Sequence, residues 1–145
     1  QPILPMVLAA IDGAAAKASA HGNTIVLEGD QQLEAQFDLK WTQEALFNVL
    51  DNAVKYSGQG TAIEVEMCAY ELFVRVSVTD AGQALPPEEY AQIFQRFYRG
   101  EAGREQEGVG LGLYLAREIL RSQGGYIKAE SLRDGRVQFA LYLVK

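Results

Sequence analysis

Two neighbouring segments of the chain alternate apolar and polar residues, and they constrain the fold more than any other feature. Residues 63–67 and residues 72–78 each place Ile, Leu, Val or Met at every second position. Alternation with a period of two is typical of a strand that has one face on the core. Because only a short link separates the segments, we predict an antiparallel hairpin whose apolar face needs a covering layer.

Helices can supply that layer, since three segments carry apolar residues at helical spacing. They are residues 6–20, 42–56 and 111–123. The second is the clearest, because Leu46, Val49, Leu50 and Ala53 follow the i, i+3, i+4, i+7 pattern over two turns. The segment between Asp80 and Gly110 contains one shorter helical piece, at 88–94.

Four further segments have the composition of short strands. They are residues 24–27, 33–39, 126–131 and 137–144. We expect the first two to flank a turn at Gly29 and Asp30. Hairpins with interspersed helices predict an α/β sandwich, in which helices cover one face of the sheet.

Composition limits the kinds of function. The chain has 145 residues, a size typical of one domain, and its net charge of −6 argues against nucleic acid or an anionic membrane as a partner. Cys68 and His21 are the only residues of their types, too few for a disulfide or a Cys/His metal site. No stretch approaches the ~18 apolar residues of a membrane span.

Three polar residues form a row on the predicted helix 42–56. Asn48, Asn52 and Lys55 lie at i, i+4 and i+7, away from its apolar residues. An Asn oxygen is a hard ligand that suits Mg²⁺, and a Lys ammonium can contact a phosphate. Taken alone, such a row is more often a solvated helix face.

Asp80 and Gly82 follow the second strand of the predicted hairpin. A carboxylate at a strand end can accept a hydrogen bond from an exocyclic amine, and a neighbouring glycine lets a flat ligand approach the backbone. The same pair is also common in simple turns.

The glycines Gly108, Gly110 and Gly112 open the predicted helix 111–123, and the N–H groups of a helix start favour phosphates. A glycine triplet alone serves equally well as a hinge. Before them, the segment 93–99 combines aromatic residues with two arginines, whose guanidinium groups can reach a phosphate.

In this order and spacing, the four motifs resemble the catalytic, ATP-binding domain of two-component sensor histidine kinases, within the Bergerat-fold (GHKL) ATPases. They are similar to the N box (44–57), first glycine box (80–86), F box (93–99) and second glycine box (108–113) of that family. The resemblance implies one domain over 1–145 and a mixed, mostly antiparallel sheet of about five strands, with three helices on one face. It also implies a mobile ATP lid at about 86–108.

The resemblance assigns the cofactors, ATP and Mg²⁺, to particular residues. Asn52 would ligate Mg²⁺ with Asn48 beside it, and Lys55 would contact the phosphates. Tyr56 would pack on the adenine, and Asp80 would accept a hydrogen bond from its amino group. The other expected nucleotide-binding residues are Gly82, Phe97, Gly108, Gly110, Leu111, Gly112 and Leu113.

Catalysis is expected to involve Asn48 and Lys55, together with Arg96 or Arg99 as the group that stabilises the transferred phosphoryl. The related ATP-hydrolysing machines (gyrase-like, mismatch-repair and heat-shock proteins) have a Glu general base at the position of Asn48. Asn cannot deprotonate water, and Glu44 lies one turn away from that position, which argues against a hydrolase.

One departure from the family keeps other functions open. Ala84 stands where the first glycine box usually has a further glycine, and a left-handed backbone there would cost on the order of 1 kcal/mol. A degenerate, non-catalytic binding module is therefore an alternative, as is an anti-sigma-type serine kinase. Trp41 and the segment 94–99 favour the histidine-kinase group over the latter.

The implied partners are the phosphoacceptor-histidine dimerisation hairpin of the same kinase and a cognate response regulator. His21 precedes a glycine at a helix end and lacks the acidic neighbour expected of a phosphoacceptor, so we predict that this chain cannot phosphorylate itself. Because the sequence starts at Gln1 rather than Met, we expect a piece of a longer protein. The resemblance implies that the whole protein is a membrane-anchored sensor kinase with this domain in the cytoplasm, and without the dimerisation hairpin we expect the piece to be a monomer.

Overall fold

The centre of the molecule is a five-stranded sheet in the order β1-β2-β3-β5-β4. The computed structural model describes residues 1–82, 84–95 and 111–145. The strands are β1 (Thr24–Gly29), β2 (Ala62–Ala69), β3 (Phe73–Asp80), β4 (Tyr126–Ser131) and β5 (Val137–Val144). β1 pairs parallel with β2, and all other pairs are antiparallel. The sheet is therefore mixed and mostly antiparallel, as predicted.

Within the described residues, three α-helices cover one face of this sheet. They are α1 (Leu4–Ala20), α2 (Leu39–Tyr56) and α3 (Gly112–Ser122). The apolar residues of α2 and the inward residues of the central strands, such as Leu46, Leu50 and Val76, are fully buried between the two layers. This arrangement is the α/β sandwich that the sequence predicts.

The helix α2 occupies the middle of the helical layer. It begins three residues before the predicted segment because the Asp38 carboxylate accepts a hydrogen bond from the Trp41 N–H at 2.9 Å and caps the first turn. It ends at Ser57, whose backbone is extended. α1 runs parallel to α2, since the contacts of Gly13 with the Phe47 ring and of Lys17 with Asp51 advance in the same direction along both helices.

The helix α3 runs antiparallel to α2 and is tied to it at both ends. Gly112 lies beside Asn48, and the Gln123 amide N–H donates to the Thr42 hydroxyl at 3.0 Å. Because Thr42 is fully buried, this bond fixes the C-terminal end of α3 against the first turn of α2. The start of α3 therefore lies over the middle of α2.

The prediction of a strand at 33–39 is wrong. That segment forms only two isolated bridges, Pro2–Glu34 and Gln36–Val144, and its last residue already belongs to α2. β1 instead pairs parallel with β2, with α2 as the crossover between them. Gly29, with a φ of +94°, packs against the Met67 backbone at the end of β1 rather than in a hairpin turn.

The helical piece predicted at 88–94 is a single 3-10 turn, Pro87–Glu89, followed by irregular turns. Phe94 and Ile93 are buried, and the Phe94 ring meets the Phe139 ring of β5 edge-on, with centroids 6.1 Å apart. None of the helices in the described ranges is long and apolar enough to cross a membrane.

Candidate functional site

Two contacts on α2 define the candidate site: the segment after β3 meets the last turn of α2, and the start of α3 lies beside Asn48 in the middle of α2. Asp80, the last residue of β3, is only 3% exposed. Its Oδ1 accepts a hydrogen bond from the Gly82 N–H at 2.7 Å. Among the described residues, the hydrogen bond from the backbone that follows is the only one recorded for this carboxylate, and a buried carboxylate with so few partners is unusual.

Gly82 lies directly against the end of α2. A Cβ at this position would stand 2.8 Å from the Tyr56 carbonyl oxygen and 2.6 Å from Asp80 Oδ1. No real side chain tolerates such a contact with backbone, so the absence of a side chain is what lets the two elements approach. The structure thereby brings Tyr56, Asp80 and Gly82 together, as the sequence predicts.

Burial changes the acidity of Asp80. Its removal from water raises the pKa to about 6, although the hydrogen bond from the Gly82 N–H acts in the opposite direction. At neutral pH the group is therefore largely ionised, and it offers a charged acceptor inside the protein. Such a group favours a ligand that donates a hydrogen bond at this point.

The start of α3 faces the polar row on α2. Leu111 precedes the helix, and no side chain of the described residues caps its first N–H groups. The side-chain Nδ2 of Asn48 is buried without a hydrogen-bond partner in the described structure. A Cβ on Gly112 would come no closer than 3.8 Å to Asn48, so this junction is not tightly packed.

Lys55 lies two turns beyond this junction and is part of an ion-pair group. Its Nζ is 3.2 Å from Asp51 Oδ2, and Lys17 Nζ on α1 is 3.1 Å from Asp51 Oδ1. Asn52 is half-buried on the same side of α2. The predicted row is thus confirmed as the less buried face, opposite Leu46 and Ala53 in the core.

The loop after α2 is held by a residue that the sequence analysis missed. Asn23 is buried, and its Nδ2 donates to the carbonyl oxygens of Gly58 at 3.0 Å and Thr61 at 2.9 Å. Its Oδ1 accepts from His21 Nδ1 at 2.6 Å. Because Asn23 and Gly58 are 35 residues apart, no local spacing signals this contact.

Several predicted site residues lie outside the described residues. They are Phe97, Arg96, Arg99, Gly108 and Gly110, together with the greater part of the predicted lid. Leu111 and Leu113 at the start of α3 are half-buried, and Ala84 is exposed. Among the described residues there is no cluster of three or more His, Cys, Asp or Glu that could hold a metal.

Residues 37–145 match the family model described as histidine kinase-, DNA gyrase B-, and HSP90-like ATPase. The chain belongs to this family. The match covers α2, the last four strands of the sheet and α3, which together contain every described part of the candidate site. Membership in this ATPase family supports ATP binding by the domain.

Curated relatives are named as sensor histidine kinases. The histidine-protein kinase/phosphatase MprB of Mycolicibacterium smegmatis is 33% identical over 99 residues, which is 68% of this chain and 20% of that protein. The sensor histidine kinase Hik2 of Thermosynechococcus vestitus is 35% identical over 133 residues, 90% of this chain and 34% of that protein. This ATPase domain therefore spans a fifth to a third of the length of these two relatives.

Solved structures share the fold over nearly the whole chain. A mycobacterial sensor histidine kinase MprB superposes with a TM-score of 0.90 at 21% identity, covering 99% of this chain and 96% of that one. The catalytic domain of the histidine kinase ThkA, in a nucleotide-free form, gives 0.85 at 24% identity, with 100% and 94% covered. The predicted fold and family are confirmed.

Proposed function

We propose that this domain binds ATP between the end of β3, the exposed face of α2 and the start of α3. The observation that carries the proposal is the buried Asp80 carboxylate, whose Oδ1 is bonded to the Gly82 N–H. The exocyclic amino group of adenine is a donor that matches this acceptor. Tyr56 is the last residue of α2, and its carbonyl group lies directly against Gly82. Its ring would pack on the adenine base.

The phosphates would lie at the other end of the site, beside the start of α3. A helix start without a side-chain cap offers N–H groups and the positive end of the helix dipole to an anion. The unpartnered Nδ2 of Asn48 would find an acceptor in a phosphate oxygen. The proposed phosphate-binding residues also include Lys55, Gly112 and Leu113, and Gly108, Gly110, Leu111 and Phe97 complete the proposed nucleotide-binding set.

Mg²⁺ fits this site as an ion held mainly by the nucleotide. The described residues offer amide oxygens rather than a carboxylate cluster, and Mg²⁺ commonly combines one or two protein oxygens with water and phosphates. Asn52 would be its protein ligand, with Asn48 beside it. The ion would supply neutralisation of phosphate charge.

The proposed reaction is transfer of the γ-phosphate of ATP to a histidine on a separate dimerisation hairpin of the same kinase, and from there to a response regulator. The names of the relatives support a place in such a system. Arg96 or Arg99 would stabilise the transferred group, with Asn48 and Lys55 positioning the phosphates. The domain alone would be a monomer, would not phosphorylate itself, and would belong to the cytoplasmic part of a membrane-anchored kinase.

The test is calorimetric titration with a non-hydrolysable ATP analogue and Mg²⁺, repeated with the corresponding GTP analogue. We expect saturable ATP binding that Asp80→Asn weakens by about 5- to 150-fold, the effect of losing a buried polar partner worth ~1–3 kcal/mol. GTP presents a carbonyl where ATP presents its amino group, so the substitution should also narrow the preference for ATP. Asp12→Asn, an exposed carboxylate on α1, is the matched control and should bind like the wild type.

Folded wild-type protein that binds neither nucleotide would contradict the proposal and leave the binding module as the function. Equal affinity for ATP and GTP would contradict the role of Asp80 while leaving a phosphate site intact. Labelled phosphate transferred from ATP to His21 would contradict the prediction that the chain cannot phosphorylate itself.

A further inference from the structure

Three charged residues on two helices form a group beside the proposed phosphate site. Asp51 on α2 contacts Lys55 on the same helix at 3.2 Å and Lys17 on α1 at 3.1 Å, each through a different carboxylate oxygen. The Asp51 side chain is 19% exposed, against 36% for Lys55 and 64% for Lys17. The shared carboxylate is therefore the least solvated member.

The position of Lys55 on α2 places it between two environments. At ~100° per residue, Lys55 projects between Asp51 on the side of α1 and the row of Asn48 and Asn52 on the side of α3. Its ammonium contacts the Asp51 carboxylate in the structure, and the proposed role of Lys55 requires it to bind a nucleotide phosphate instead. The two acceptors, a carboxylate and a nucleotide phosphate, compete for the same cation.

We propose that Asp51 and Lys17 are positioning residues that set the affinity of this domain for the phosphates of its nucleotide by acting through Lys55. Asp51 binds the Lys55 ammonium and lowers its availability to a phosphate. Lys17 bonds the opposite oxygen of Asp51 and thereby weakens the hold of Asp51 on Lys55. The inference rests on the proposed function, since it requires ATP at this site.

Charge arithmetic gives the direction of each effect. The group of two lysines and one aspartate carries a net charge of +1, which becomes +2 when Asp51 is neutralised and 0 when Lys17 is neutralised. A more positive group binds a polyanion more tightly. Adenosine carries no phosphate, so its affinity should not change with the net charge of this group.

The experiment measures the dissociation constants of the ATP analogue and of adenosine for single and double variants of the isolated domain. We expect Asp51→Asn to tighten ATP binding and Lys17→Met to weaken it, each by about two- to fivefold, the range for partly exposed ion pairs. The double variant should return to within about twofold of the wild type, because the two charge changes cancel. Adenosine affinity should stay constant, and the ATP differences should shrink in about 1 M salt.

Two controls separate this role from a structural one. In a Lys55→Met background, Asp51→Asn should change ATP affinity by less than about twofold, because the ammonium through which Asp51 acts is absent. Lys128→Met and Glu130→Gln, both exposed on β4 on the far side of the sheet, make the same charge changes and should leave ATP affinity unaltered.

Wild-type protein that binds no ATP would overturn the proposed function and this inference together. ATP binding that is unaffected by Asp51→Asn and Lys17→Met would overturn the inference alone. So would parallel changes in adenosine and ATP affinity, or an undiminished effect of Asp51→Asn without Lys55.

Discussion

The two ends of the candidate site are built in opposite ways. At the base end, Asp80 is hydrogen-bonded to Gly82, and Gly82 leaves no room for a methyl group beside the Tyr56 carbonyl. At the phosphate end, the buried Nδ2 of Asn48 has no partner among the described residues, and the described neighbours of a Cβ on Gly112 would all lie at ordinary van der Waals distance.

This difference indicates that Gly82 at the base end serves the stability of the fold, whereas the residues at the phosphate end serve ligand binding. The glycine at the base end is required by backbone packing, whereas the fold makes no such demand at Gly112. An unpartnered buried donor costs stability, so a fold that keeps one at the phosphate end leaves hydrogen-bonding capacity for a ligand. Substitutions at the two ends should therefore divide between loss of stability and loss of affinity.

The largest expected effect is on stability, at the base end. Gly82→Ala places a Cβ 2.8 Å from the Tyr56 carbonyl oxygen. We expect the free energy of unfolding to fall by about 3 kcal/mol in chemical denaturation, since backbone must shift to admit the methyl group. Gly112→Ala is the matched control and should change stability by less than about 0.5 kcal/mol. Equal losses of unfolding free energy in Gly82→Ala and Gly112→Ala would contradict the proposed difference between the two ends of the site.

The next effect concerns the pH dependence that Asp80 imposes. Burial raises its pKa from 3.8 to about 6 in the folded protein, so the folded state holds the proton more tightly than the unfolded state does. Its contribution to stability is then most favourable below the unfolded pKa and falls as the pH rises through the folded pKa. At pH 8 the free energy of unfolding of Asp80→Asn should therefore exceed that of the wild type by about 2–3 kcal/mol. The difference between the two proteins should vanish near pH 4.

Thermal and urea unfolding across pH 4–8 measure that difference. Asp12→Asn, at an exposed position, should track the wild type throughout. An Asp80→Asn variant that is less stable than the wild type at pH 8 would mean that the ionised carboxylate stabilises the fold, contrary to the account. Stability and ATP affinity should move in opposite directions in this variant.

The smallest effect on stability is expected at the phosphate end. Asn48→Leu removes a buried donor that has no partner among the described residues, so the free energy of unfolding should stay constant or rise by up to about 1 kcal/mol. ATP affinity should nevertheless drop by about tenfold, or ~1.4 kcal/mol, while adenosine affinity is retained. A marked loss of stability would show that Asn48 serves the fold after all.

The helical layer and the central hairpin were predictable because each has a local period. The apolar spacing of α2 and the alternation of β2 and β3 are both present in short windows of sequence. The prediction of a strand at 33–39 was wrong because no local pattern reveals how this segment pairs. Its two bridges are to residues distant in the chain, and Asp38 already caps α2. The parallel partner of β1 likewise lies beyond a whole helix.

In the candidate site, too, the residues that are close in sequence were predictable and the contacts between distant residues were not. Asn48, Asn52 and Lys55 share one helix, and Asp80 and Gly82 share one turn, so their spacing was visible in the sequence. The contact of Lys17 with Asp51 spans 34 residues and depends on α1 packing parallel to α2, which no local pattern specifies. That Asn48 Nδ2 finds no partner among the described residues is also a property of packing rather than of sequence spacing.

The most direct test of this account is NMR titration of the isotope-labelled domain, first with adenosine and then with the ATP analogue and Mg²⁺. We predict that adenosine shifts the amide signals of Gly82 and its neighbours, and that only the phosphate-bearing ligand also shifts Gly112, Leu113 and the Asn48 side-chain amide. Shifts at the phosphate end with adenosine alone, or shifts confined to the far side of the sheet around Lys128 and Glu130, would contradict it.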